Sequence, residues 1–271
     1  MTDPRKVSCK SPKMTTPSIH QLAKALTSLG LPNPHPNFLT PILTPGPSQR
    51  LPPLPALTAT AKLRLLNADF TGLDVLDPSK TLTLPPGITD TTIAARTLDS
   101  DVPVQVLGIE DLSKSKWEQV EALEMERKGE TAKGREVIRV VPPAEGENPI
   151  TASAQGLNTQ RDVGRSGGPF KLLMEDAKGQ RVYGLELRKV DKVGYPPVLN
   201  IGCKVILKKG VKVARGMVLL EPAAVVILGG KIEALDKSWR EGREKALRQV
   251  VGDGRGVRVE ESAAASAINV D

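Results

Sequence analysis

Apolar residues recur every three or four positions along the first third of the chain and alternate with polar residues along much of the second half. The first pattern marks one face of a helix; the second marks a strand with one face in and one face out. Residues 18–30, SIHQLAKALTSLG, place Ile19, Leu22, Leu26 and Leu29 at helical spacing, and Gly30 supplies a stop. A proline-studded stretch follows, broken by NFLTPIL, whose Phe38, Leu39, Ile42 and Leu43 form one apolar turn. Residues 57–70, LTATAKLRLLNADF, predict a further helix with Leu63, Leu66 and Phe70 on one face.

After TLPPGI at residues 83–88 the period changes. PVQVLGI (103–109) reads as a first barrel strand. FKLLME (170–175) and RVYGLELR (181–188) flank a polar turn ending in Gly179, which predicts a hairpin. CKVILK (203–208) sets Cys203, Val205 and Leu207 against Lys204, Ile206 and Lys208, so one face is expected inside and the other mostly outside. A turn near Arg215–Gly216 and a last short strand at residues 225–228 follow. Five or six short strands with glycine kinks suit a small closed barrel. Past Gly229–Gly230 a helix should carry Ile232, Leu235, Trp239, Ala246 and Val250 on one side, with a loose tail after Gly252.

One connection is out of proportion. Residues 113–168 separate the first two barrel strands. They open with an amphipathic helix, KSKWEQVEALEMERKG, with Trp117, Val120 and Leu123 on one side. One apolar patch follows, Val137-Ile138-Arg139-Val140-Val141-Pro142-Pro143, in a stretch rich in Gly, Asn, Gln and Ser. Loops longer than ~15 residues are uncommon in compact domains and are usually functional or flexible.

Composition then narrows the chemistry. Among 271 residues only 3% are aromatic, while 23 Pro and 24 Gly imply much loop. The two cysteines, Cys9 and Cys203, are too far apart and too few for a disulfide scaffold or zinc site, and read as reduced thiols of an intracellular protein. No apolar run approaches the ~20 residues that span a bilayer, and MTDPRKVSCKSPK lacks the apolar core of a secretory signal. His20 and His35 have no nucleophile or acid at motif spacing. HExxH, GxSxG and P-loop patterns are missing, and LGGK at 228–231 lacks the upstream glycine and following Ser/Thr of a phosphate loop. We therefore expect no enzyme activity, no cofactor and no metal.

The formal charge of +7 is uneven: residues 168–231 alone hold twelve Lys and Arg against five acids. Such a stretch invites DNA or an acidic partner, or guards exposed strand edges. Lys204, Lys208, Lys209, Lys212 and Arg215 are the phosphate-contact candidates. Stacking platforms are scarce there, with only Phe170, Tyr183 and Tyr195, so any single-strand binding should be weak and salt-sensitive.

Several stretches together carry a resemblance. GMVLLEPAAVVILGGKIEALD is similar to the run that closes the N-terminal barrel of the RecQ-mediated genome instability protein 1 family. The likeness lies in Val218, Leu219, Leu220, Pro222, Val225, Ile227, Leu228, Gly229, Gly230, Ile232 and Leu235. FKLLMEDAKGQRVYGLEL looks like that family's hairpin through Leu172, Met174, Asp176, Gly179, Gly184 and Glu186, and VLNIGCKVIL looks like its following strand. RLLNADFTGL with LPPGI resembles its helix-to-barrel junction, and the order is kept over residues 18–250. Glu221 stands where a basic residue is common in the family, and Ala223–Ala224 replace polar ones.

The resemblance implies a mainly β fold with helical additions: a five-stranded oligonucleotide/oligosaccharide-binding (OB) barrel, preceded by a small helical bundle, in a short fungal-type member. The expected organisation is a disordered tail (1–16), a helical region with a Pro-rich linker (17–92), the barrel (93–235) containing the 113–168 insertion, and a C-terminal helix with a flexible tail (236–271). It further implies a nuclear, non-catalytic subunit that binds topoisomerase III, a type IA enzyme. With a Bloom-type RecQ helicase this subunit would promote decatenation and dissolution of double Holliday junctions. Partner contacts are expected from the insertion (Val137, Ile138, Val140, Val141, Pro142) and from the barrel (Leu219, Glu221, Pro222), with weak DNA contact through the basic face. The alternative is an OB module whose main role is single-stranded DNA binding.

Overall fold

In the computed structural model, residues 17–44, 51–128 and 168–266 are described, the last fourteen of them by backbone alone. The chain forms two compact units, Met1–Glu110 with Pro169–Trp239, and Asp111–Gly168 with Arg240–Asp271.

The first unit begins with three helices. α1 (Ile19–Ser28) starts at a capping box, in which the Ser18 hydroxyl and Gln21 each accept the other's backbone N–H. It buries Leu22 and Leu26 and leaves Leu29 outside. The apolar turn expected at 37–43 is a full short helix, α2 (Pro36–Leu43), opened by the His35 ring, which accepts the Asn37 N–H, and by Pro36 at the first helical position. α3 (Leu54–Asn67) departs from the predicted face. It begins earlier than expected, so the inward stripe is Leu57, Ala61 and Leu65 at strict i, i+4 spacing, with Leu66 beside it. Leu63 is 63% exposed, and Phe70 lies beyond the helix end, buried through the loop that follows.

Among the described residues eight strands make one sheet: β1 (Arg96–Thr97), β2 (Val102–Asp111), β3 (Phe170–Asp176), β4 (Arg181–Glu186), β5 (Lys204–Leu207), β6 (Lys212–Ala214), β7 (Met217–Leu220) and β8 (Val225–Gly229). Their order is β1-β6-β7-β4-β3-β2-β5-β8. This order forces curvature. β1 and β2 are joined by residues 98–101 alone, yet stand at the first and sixth places; residues 208–211 alone join β5 and β6, at the seventh and second. Such short links reach only if the sheet curls until its two sides meet. Leu98 N–H to Val211 O (2.9 Å) and Gly210 N–H to Leu98 O (2.7 Å) stitch that closure. The strand count exceeds the expected five because two paths, β1/β2 and β5/β6, break at bends, and β8 adds a strand beyond them. β4 and β7 pair in parallel; the other registered pairs are antiparallel.

The barrel core holds Val104, Val106, Leu172, Met174, Val182, Val205, Leu207, Val218 and Leu220. β5 corrects the one-face-out expectation: all four of its residues are buried. The alternation rule assumes water beyond the barrel wall, but at Lys204 the loop after α3 lies there instead, with Nζ 4.6 Å from the Phe70 ring centre. Gly230 (φ 93°) passes so close to the end of α3 that a Cβ would sit 2.2 Å from Leu66 O.

α5 (Glu233–Ser266) opens in the first unit, where Asp236, 1% exposed, accepts the Ile201 N–H (3.2 Å) and ion-pairs with Lys231 (3.2 Å). Its backbone stays helical past Gly252, where a loose tail was expected. Val250, expected on the packed side, is exposed. In the second unit, α4 (Lys116–Lys128) is capped reciprocally by Ser115 and Glu118. It buries Val120, leaves Trp117 half exposed, and ion-pairs with α5 through Glu124–Arg248 and Arg127–Glu244.

Candidate interface on the barrel

Which side of the barrel faces outward follows from register. Leu172, Met174, Val182, Val218 and Leu220 enter the core, so Lys171, Leu173, Tyr183, Leu185, Met217 and Leu219 share the opposite face. Pairing aligns them in two rows, Leu173–Tyr183–Met217 and Lys171–Leu185–Leu219, and Leu187 extends the face where Leu187 N–H meets Leu220 O (3.0 Å). Tyr183 is 47% and Leu187 52% exposed.

Charges border this face. Lys171 Nζ lies 2.7 Å from Glu110 and 5.1 Å from the Tyr183 ring centre. Arg181 Nε donates to Glu175 (3.0 Å), and Arg188 stands 3.9 Å from Glu221. Glu186 is buried and accepts Phe170 N–H (3.0 Å) and Val190 N–H (2.7 Å), fixing the end of β4 and the start of the basic turn after it.

The basic candidates separate. Lys204 is sealed inside, 0% exposed, and donates to Gln105 Oε1 (3.1 Å); burial pulls its pKa down to about 8, against the nearby Asp69 charge. It cannot meet a phosphate, which corrects the sequence expectation. Lys208 donates to Asp101 (2.9 Å), and with the Lys209 backbone N–H it holds that carboxyl below its ordinary pKa. Arg215 donates to Thr91 O, while Lys209 and Lys212 are exposed. Of the barrel contact candidates, Leu219 lies on the outward face, Glu221 faces Arg188 just after β7, and Pro222 is exposed in the turn beyond. Val137, Ile138, Val140, Val141 and Pro142 lie outside the described residues, as do residues 1–16 and Cys9. Cys203 is buried, and its thiol pKa is pushed up to about 11 by that burial, so it is a poor nucleophile. Among the described residues no group of three His, Cys, Asp or Glu side chains is placed to hold a metal, and no helix is long and apolar enough to cross a membrane.

Residues 84–243 match the family model described as RMI1, N-terminal OB-fold domain. The chain belongs to that family. It is also similar to RecQ-mediated genome instability protein 1 of Schizosaccharomyces pombe, 31% identical over 146 residues, which cover 52% of this chain and 60% of that relative. The chain thus spans about three-fifths of the length of the curated relative it matches. The matched region takes in the whole curled sheet and the first turns of α5, so the barrel of this RMI1-family chain is its OB fold.

Of the apolar outward face, the sequence singles out Leu219 alone. A wider signal was present: in RVYGLEL the positions facing away from the core are Tyr183, Leu185 and Leu187, where a water-facing strand would carry polar residues. The partnership of Gln105 with Lys204, across 99 positions, had no sequence signal at all.

Proposed function

We propose that this chain is a non-catalytic docking subunit that binds topoisomerase III and, with a Bloom-type RecQ helicase, promotes decatenation and the dissolution of double Holliday junctions in the nucleus. Membership of the RMI1 N-terminal OB-fold family supports the reading, as does the name of the fission-yeast relative, RecQ-mediated genome instability protein 1. The observation that carries it is the insertion. β2 ends at Asp111 and β3 begins at Phe170, so 58 residues join two neighbouring strands of a small barrel. Ordinary hairpin loops take about 2–5 residues.

The mechanism is a population shift. A type IA topoisomerase cuts one strand, opens a gate, passes another strand and closes. An apolar segment such as Val137–Pro142 that binds the open gate better than the closed one biases the equilibrium by its differential affinity and no more. A longer-lived open gate slows relaxation of simple supercoils and favours passage between linked molecules.

Single-stranded DNA binding as the main role is weaker. Phe170 is in the core and Tyr195 packs edge-on against it at 5.7 Å, which leaves Tyr183 as the exposed aromatic of β3–β7. Lys204, the deepest of the basic candidates, is closed to solvent.

The test is co-elution of the full chain with its cognate topoisomerase III at moderate salt, followed by decatenation assays with and without residues 130–167. A stable complex that survives the deletion, with decatenation lost, is the expected result. Separate peaks together with nanomolar, salt-resistant oligonucleotide binding would refute the docking reading. Undiminished decatenation by the deleted chain would refute the role given to the insertion.

A further inference from the structure

We propose that the outward face of β3, β4 and β7 is the surface on which the partner protein sits, and that the partner presents an apolar ridge edged by carboxylates. This rests on reading the chain as a protein-docking subunit and says where and with what chemistry it docks.

The face is apolar where a solvated strand would be polar. A barrel wall that meets water alternates polar residues outward, yet Leu173, Tyr183, Leu185, Leu187, Met217 and Leu219 share the outward side of three adjacent strands, Tyr183 and Leu187 exposed and the other four half-buried. A contiguous apolar patch with a charged border marks an interaction site more often than a lone exposed leucine does. Its apolar groups are also of the wrong kind for stacking bases. All but one are aliphatic, and bases stack on rings, not on leucines. The lone ring, Tyr183, already lies beneath the Lys171 ammonium. The face therefore fits a protein and not a strand of nucleic acid.

The border of the face presents its cations outward. In the Arg181–Glu175 pair the guanidinium side chain is 64% exposed and the acid 10%; in Arg188–Glu221 the figures are 78% and 44%. The cations stand outward and their acids lie lower, and exposed Lys189 follows in the same turn. An incoming surface therefore meets positive charge around an apolar centre, and carboxylates on its own rim complement it. The face is also rigid where this matters. Gly184 leaves no space beneath β4, since a Cβ there would lie 2.6 Å from Met174 Cε, and the Glu186 carboxylate pins the turn that carries Arg188 and Lys189.

Two double variants of the full chain test this, Tyr183→Glu with Leu187→Glu and Arg188→Glu with Lys189→Glu. All four side chains are solvent-exposed, and thermal melting checks that each variant is folded. The probes are purified cognate topoisomerase III and a fluorescent twenty-nucleotide oligo-dT. The first variant should lose about 100-fold in topoisomerase affinity, the scale of two central contacts. The second should lose about 10-fold, mostly in association rate, and the loss should shrink as salt is raised. Melting should match wild type in both. If wild type binds the topoisomerase and both variants bind equally well, the face is not the dock, although the docking reading stands. If wild type binds no topoisomerase, that reading falls and this proposal with it. If the variants lose oligo-dT and keep the topoisomerase, the face is a nucleic-acid surface and the proposal is overturned.

Discussion

Replacing Lys204 by methionine should stabilise this protein, although it deletes a buried hydrogen bond. Lys204 is 0% exposed and its pKa is lowered from 10.5 to about 8, chiefly by burial. The unfolded chain keeps that proton up to about pH 10.5 and the folded chain only up to about pH 8. Below pH 8 both states are protonated, and the folded state carries the full cost of an ammonium out of water. At 1.36 kcal/mol per pKa unit that cost is roughly 3 kcal/mol. Between pH 8 and 10.5 the unfolded state binds more protons, so stability rises with pH until the cost is gone. Methionine matches the length and still packs on Phe70. It loses the bond to Gln105 Oε1, about 1 kcal/mol, and Gln105 Oε1 keeps the Phe70 N–H at 3.0 Å. The net gain at pH 7 is therefore about 2 kcal/mol, or roughly 4–8 °C in melting temperature for a unit of this size.

The assay is thermal unfolding by circular dichroism of both proteins from pH 7 to 10.5. Comparing them cancels the titration of the other lysines and tyrosines. The gap should be largest at pH 7, and above pH 10 it should close or reverse. A variant that melts below wild type at pH 7, or a gap that stays constant with pH, would refute the reasoning. Either result would mean that the Asp69 charge offsets desolvation at this site.

Two further predictions concern the frame. Gly230→Ala should lower stability by about 3 kcal/mol or more, because a left-handed backbone and a Cβ at 2.2 Å from Leu66 O act together, whereas Gly179→Ala, also left-handed but with open space around it, should cost only about 1 kcal/mol; chemical denaturation of the pair separates clash from conformation. Asp236→Ala should cost about 1–3 kcal/mol, since it strands the buried Ile201 N–H, while exposed Glu233→Ala, beside the same Lys231, should cost under 1 kcal/mol.

What sequence showed and what it hid divide along physical lines. Local periods were legible. The helix at 18–30, the hairpin around Gly179 and the turn at Arg215–Gly216 each follow from spacing within a few residues, and each is where it was expected. A small closed barrel was legible from the alternating strands, but which strands close it was not, since the β1–β6 pairing joins Arg96 to Val213. Errors gathered where one module covers another. Leu63 fits a helical stripe as well as Leu65 does, and only the neighbouring helices decide which is buried. Lys204 alternates correctly for an outward residue, and only the Phe70 loop turns that position into core. Pattern reading takes water as the default neighbour of a strand's second face, and it fails where protein lies there instead. The same assumption, reversed, hid the outward Leu185 of β4 and Leu187 just past its end.

The seam between the helical region and the barrel also bears on docking. Gln105 uses its full hydrogen-bonding capacity there: its amide N–H groups go to Asp69 (2.8 Å) and Glu175 (3.2 Å), and its oxygen accepts from Phe70 N–H (3.0 Å) and Lys204 (3.1 Å). Around it, Leu84 N–H donates to Asp176 (2.8 Å), Gln180 to Pro85 O (3.2 Å) and Lys231 N–H to Asn67 (3.2 Å). An apolar seam between helices and barrel tolerates sliding; a satisfied polar network has one pairing, and a shifted one leaves buried groups unmatched. The helical region and the barrel are thereby held as one body, and β3, whose Glu175 and Asp176 enter the seam, also carries Leu173 on the outward face. A surface held this way loses little conformational freedom when a partner arrives, so more of the contact energy appears as affinity. On this account the roughly 3 kcal/mol cost at Lys204 is tolerable because it fixes geometry. Lys204→Met should then melt higher yet exchange the Phe70 amide hydrogen faster than wild type; equal or slower exchange at that amide would separate stability from fixation and remove the reason given for keeping a lysine inside.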